Sequence, residues 1–111
     1  MTNWIDIGPL EAVRKRGARI IKAPGRDLAV FRTIDDDVFA LVNACPYRDG
    51  PLSEGIVHGR MVTDPLYNWV ISLETGLAQG ADEGSVETFP VKVENGRILL
   101  DLETVAQRSA A

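Results

Sequence analysis

The sequence predicts an antiparallel all-β domain, and three observations carry that expectation. Short β-branched and apolar runs recur along the chain, separated by Gly, Pro and Asp, which is the punctuation of strands and reversals rather than of long helices. Asn95-Gly96, set between Val93 and Arg97, marks a tight hairpin because this pair tolerates the positive φ of a type I′ turn. Val38–Val42 is apolar on both faces, Phe39 and Leu41 on one and Val38, Ala40 and Val42 on the other. A strand of that kind belongs in a central position with cover on both sides.

Taken in order, the expected strands are Trp4–Ile7, Ala18–Ala23, Leu28–Thr33, Val38–Asn43, Arg60–Val62, Trp69–Leu73, Phe89–Val93 and Arg97–Leu102. Leu10–Arg16 has the composition of a short helical turn. Asp35-Asp36-Asp37 reads as an exposed reversal, since three like charges must stay hydrated. Gly80–Ser85 has no periodicity and reads as a loop, and residues 103–111 form a tail. The arrangement this order suggests is a β-sandwich with a small loop-rich subdomain at about residues 43–72.

At 111 residues the chain is expected to form a single domain, 1–111, with one hydrophobic core. A net charge of −4 argues against a nucleic-acid partner, which would call for a basic stripe; Arg14-Lys15-Arg16 is too short to supply one and reads as a solvated face. No apolar segment follows the first residues as in a signal peptide, and no stretch is long enough to span a bilayer. A single cysteine allows no internal disulfide, and a reducing cytoplasm is the expected compartment. The glycines make neither a G-x-G-x-x-G pattern nor a P-loop, so a nucleotide would sit on a partner.

Chemistry-bearing residues concentrate in two loops, Cys45–Gly55 and Thr63–Trp69. Cys45 reads as a small buried core residue, or as a redox thiol with Arg48 as its basic neighbour. Tyr47, Asp64 and Tyr67 are expected to meet if the loops face one another; Asp64 would then need donors, because a bare buried carboxylate is costly. A carboxylate–phenol acid/base pair is the catalytic alternative, though nothing marks a substrate pocket. His58, the only histidine, reads as an exposed turn residue outside the loops. Pro46, Pro51, Leu52, Pro65 and Leu66 are apolar positions of the two loops, with Arg48, Asp49 and Glu54 among them. They either pack the loops together or form a docking surface, with Arg48, Leu52, Glu54, Leu66 and Tyr67 as docking candidates.

Cys45-Pro46-x-x-x-Gly50-Pro51-Leu52-Ser53-Glu54-Gly55 and Asp64-Pro65-Leu66-Tyr67-Asn68-Trp69 resemble the two cluster loops of Rieske proteins. A Rieske [2Fe–2S] centre takes two thiolates and two imidazoles, from Cys-x-His and Cys-x-x-His. Cys45-x-Tyr47 and Asp64-x-x-Tyr67 stand at those positions, so the chain resembles a Rieske-like scaffold that keeps one ligand type of four. Ser72–Gly76, Phe89–Ile98 and Trp4–Ile7 extend the resemblance from Trp4 to Leu102. It is similar in particular to the cluster-free small subunits of assimilatory NAD(P)H-dependent nitrite reductase. That resemblance implies a non-catalytic chain with no cofactor of its own. Its partner would be a large subunit carrying FAD, sirohaem and a [4Fe–4S] cluster that reduces nitrite to ammonia with NAD(P)H. A Rieske-type ferredoxin for a ring-hydroxylating oxygenase and a stand-alone cluster-free binding module are the alternatives.

Overall fold

The computed structural model describes residues 4–23, 26–45, 48, 50–80 and 83–101. Among the described residues ten strands follow one another: β1 (Trp4–Pro9), β2 (Gly17–Ala23), β3 (Arg26–Arg32), β4 (Val38–Val42), β5 (Ile56–His58), β6 (Met61–Thr63), β7 (Val70–Ser72), β8 (Thr88–Phe89), β9 (Val91–Glu94) and β10 (Arg97–Asp101). Two 3₁₀ turns, Leu10–Ala12 and Leu52–Glu54, are the only helical elements among the described residues. The strands pair antiparallel in three sheets, ordered β1-β10-β9, β2-β3-β4-β8 and β5-β6-β7. The all-β antiparallel class expected from the sequence is the one observed.

The four-stranded sheet is the middle layer. Leu28, Val30 and Ala40 join Ile98, Leu100 and Phe89 in one buried cluster, which backs onto the first sheet. Ala29, Phe31 and Leu41 face the other way and join Val57, Val62 and Ile71 of the third sheet in a second cluster. Residues 28–31 are therefore fully buried in succession, as period-2 side chains must be when both faces of a strand are covered. The same argument explains β4, whose two apolar faces enter the two clusters.

The turns follow their chemistry. Asn95 (φ 53°) and Gly96 (φ 75°) join β9 to β10 with Glu94 paired to Arg97, the two-residue hairpin foreseen from Asn-Gly. Asp35-Asp36-Asp37 is the exposed reversal between β3 and β4. Its charges are partly offset: Arg32 bonds Asp36 at 2.9 Å and Arg60 bonds Asp37 at 2.8 Å.

Three expectations change. Only Leu10–Ala12 of the predicted helical turn is helical, since Val13 is extended and leads toward β2. Phe89–Val93 is two strands, β8 on β4 and β9 on β10; Pro90 has no N–H to continue a ladder, and the chain changes sheets there. Ile56–His58 is a strand that the sequence did not suggest, so His58 closes β5 rather than sitting in a turn. Three residues between Gly55 and Gly59 carry too little period to be seen. The end of the last strand at Leu102, the tail 103–111, and Pro46, Tyr47 and Asp49 lie outside the described residues.

Candidate functional site: a carboxylate between two loops

The small third sheet carries the two loops at one end. Loop one leaves β4, passes Cys45 and Gly50, makes the Leu52–Glu54 turn and enters β5. The Cys45 amide donates to the Gly50 carbonyl at 2.8 Å, and the Ser53 amide to Asn43 Oδ1 at 2.8 Å. Gly55 lets this loop lie against β6: a Cβ there would stand 2.3 Å from the Thr63 carbonyl oxygen. Loop two is a closed reversal between β6 and β7. The Asp64 amide donates to the Trp69 carbonyl at 2.7 Å, and the Asn68 amide to the Asp64 carbonyl at 3.2 Å. Asn68 sits at φ 60°, a conformation that asparagine tolerates better than most residues.

Asp64 is the centre of this arrangement. It is fully buried, and its Oδ2 accepts the amides of Tyr67 at 2.6 Å and Leu66 at 3.2 Å. The expected hydrogen bond from a loop amide is therefore present twice over. Oδ1 has no hydrogen-bond partner among the described residues and points at loop one, where a Cβ on Gly50 would fall 2.4 Å from it. Gly50 does not have a positive φ, so its lack of a side chain serves space rather than backbone conformation. The pair Gly50–Asp64 is a close contact between the two loops, and the sequence reading did not single out Gly50 for it.

The other predicted site residues divide. Cys45 is fully buried and packs in the same cluster as Leu41, Val57 and Ile71, which favours the packing role over an accessible thiol. Leu52, read either as packing the loops together or as a docking candidate, is fully buried in that cluster too; this fits the packing alternative, and Leu52 is not a docking residue of the folded chain. Leu66 (61% exposed) and Tyr67 (42%) do form a surface tip, with Arg48 5.7 Å above the Tyr67 ring. Tyr67 thus lies partly at the surface, in the same loop as the buried Asp64. Glu54 is exposed at the end of its turn, and Tyr47 is outside the described residues. His58 Nε2 is 2.7 Å from Thr63 Oγ1 on an exposed sheet face.

A family model matches the chain that carries these loops. The match, over residues 3–101, is to the Rieske-like [2Fe-2S] domain. The chain belongs to that family. Among its relatives is the ferredoxin component of the naphthalene 1,2-dioxygenase/salicylate 5-hydroxylase systems of Ralstonia sp., 28% identical over 91% of this chain and 97% of that one. A second is the nitrite reductase [NAD(P)H] large subunit of Klebsiella oxytoca. It is 31% identical over 97% of this chain, in a match that spans only 12% of the larger protein. Among solved structures, an NADH-dependent nitrite reductase small subunit assigned in Mycobacterium tuberculosis superposes with a TM-score of 0.80 at 26% identity, covering 90% of this chain and 95% of that one.

The donor set of this Rieske-like chain does not fit the family's cluster. Two thiolates and two imidazoles are needed, and the whole sequence has one cysteine and one histidine. His58 lies on β5 rather than in either loop. At the second cysteine position, Asp64 spends Oδ2 on two backbone amides. No three His, Cys, Asp or Glu side chains gather as a metal-binding group among the described residues. No described helix is long and apolar enough to cross a membrane.

Proposed function

We propose that this Rieske-like chain is the non-catalytic small subunit of a cytoplasmic, assimilatory NAD(P)H-dependent nitrite reductase. It carries no redox group, and it docks on and stabilises or regulates a large subunit. That partner supplies FAD, sirohaem, a [4Fe–4S] cluster and the site that reduces nitrite to ammonia. The observation that carries this reading is the donor set: a fold built to hold two irons has one thiol, and a carboxylate committed to backbone amides occupies a ligand position. A scaffold without a cluster has binding left to contribute. Support comes from the Klebsiella large subunit, where a domain similar to nearly all of this chain is part of a nitrite reductase polypeptide, and from the small-subunit structure described above. The exposed tip of Leu66, Tyr67 and Arg48 is a docking surface in this reading.

The second reading is a ferredoxin for a ring-hydroxylating oxygenase, favoured by full-length relatives of that kind. One experiment separates the two. Iron and acid-labile sulfide are measured on the purified chain, and its association with the large subunit is measured by calorimetry alongside NAD(P)H-dependent nitrite consumption. A colourless, iron-free protein that binds the large subunit and consumes no nitrite alone is the expected result. Stoichiometric iron with Rieske absorption would establish the ferredoxin reading, and nitrite turnover by the isolated chain would overturn the non-catalytic assignment.

A further inference from the structure

The third sheet has an outward face that neither core cluster uses. Val57, Val62 and Ile71 point inward and are buried, so their neighbours along each strand point out. Register places these outward residues in two rows. Ile56, Thr63 and Val70 are paired across the strands, as are His58, Met61 and Ser72. A following segment extends the sheet through the bridge Ile71–Ala78, with the Ser72 amide on Leu77 O and the Gln79 amide on Val70 O. Ala78 packs inward against the core, which turns Leu77 and Gln79 outward beside Ser72 and Val70. The hydrogen-bonding contact between His58 and Thr63, at 2.7 Å, spans the two rows.

None of those outward positions is Asp, Glu, Lys or Arg, in a chain whose residues are 25% charged. Ile56 (64%), Leu77 (52%) and Met61 (37%) are exposed on it. Loss of charge with retained large apolar side chains marks the centre of a protein–protein contact rather than an ordinary solvated face. Its size shows that the face by itself is too small for a stable pair. Strands about 4.8 Å apart and three residues long at about 3.3 Å each give roughly 200 Å², whereas a stable pair needs about 800 Å² per partner. Two copies placed back to back on this face would fall well short. The same sheet end leads directly into Asp64 and the Leu66–Tyr67 tip, because Ile56, Thr63 and Val70 are the residues that border the loops. In the Klebsiella relative a region similar to this chain belongs to the nitrite reductase large-subunit polypeptide itself, which favours that subunit over a second copy as what covers face and tip together.

We infer that the outward face of the third sheet, centred on Ile56, Met61 and Leu77, is a docking surface for an uncharged, partly apolar patch on the large subunit, continuous with the loop tip. The inference rests on the proposed nitrite reductase partnership. Its test is calorimetric binding of the full-length chain to the large subunit for Met61→Glu and Leu77→Glu, with Ile56→Thr as a milder change that keeps a strand-forming residue. Ile20→Glu, at an exposed apolar position on β2 of another sheet, is the comparison. The two Glu variants should weaken binding by tenfold or more and Ile56→Thr by a few-fold, with Ile20→Glu within twofold of wild type. If wild type binds and the face variants bind equally well, the face is not the interface and the partnership stands. If wild type does not bind, the partnership itself falls and the inference with it. A wild-type homodimer in sedimentation that Met61→Glu dissociates would assign the face to a second copy and overturn the inference.

Discussion

Replacing Asp64 with alanine tests whether the carboxylate holds the two loops together. A hydrogen bond to a charged acceptor contributes about 1.5–3 kcal/mol and a long or ordinary one about 0.5–1.5 kcal/mol. With the Tyr67 amide at 2.6 Å and the Leu66 amide at 3.2 Å, the loss is roughly 2–4 kcal/mol. Removing Oδ1, buried without a partner among the described residues, returns about 1–2 kcal/mol. The net cost of Asp64→Ala is therefore about 0–3 kcal/mol, while Asp64→Asn, which keeps an acceptor for both amides, costs less. The Gly50 contact makes the test sharper. Gly50→Ala puts a Cβ 2.4 Å from Oδ1 in the native chain, and Asp64→Ala removes that atom, leaving Leu66 Cδ1 at an ordinary 3.6 Å. The double variant should be more stable than the sum of the two single changes by at least about 1 kcal/mol. Urea unfolding of the four proteins, compared at equal m-value, reads the cycle. Additive effects would refute the idea that this contact ties the loops.

Two further outcomes follow from burial and charge. Leu52→Ala should cost about 2–5 kcal/mol and Leu52→Asp should prevent folding, since Leu52 is fully buried; Leu66→Asp, at an exposed site, should shift stability by less than about 0.5 kcal/mol and act on partner binding alone, as thermal melts and calorimetry will report. Asp6 is held below its usual pKa of 3.8 by the Arg97 guanidinium and then by the Gly8 amide. Its contribution is therefore complete above that value and is lost as pH falls through the lower, folded value. Arg97→Gln should lower the melting temperature slightly near neutrality, and its curve should converge with that of wild type in strong acid; a constant offset at every pH would show that the pair does not titrate with folding.

Local chemistry determined much of this protein. Asn95-Gly96 sets its own turn because positive φ is a property of those residues. Val38–Val42 announces a covered central strand because alternation of side chains is a property of any strand. That the sequence holds one cysteine and one histidine, against the two thiolates and two imidazoles of a Rieske centre, is likewise a count that needs no fold. Tertiary structure decided what depends on distant chain. Ile56–His58 becomes a strand by pairing with Met61–Thr63, and Phe89–Val93 divides because β4 and β10 claim its two halves. Leu52 and Leu66 are the same residue type in two similar Pro-Leu steps, and only the packing of the loops buries one and exposes the other. Gly50 matters for the same reason: the need for an absent side chain is created by Asp64, a residue from the other loop that the fold brings against it.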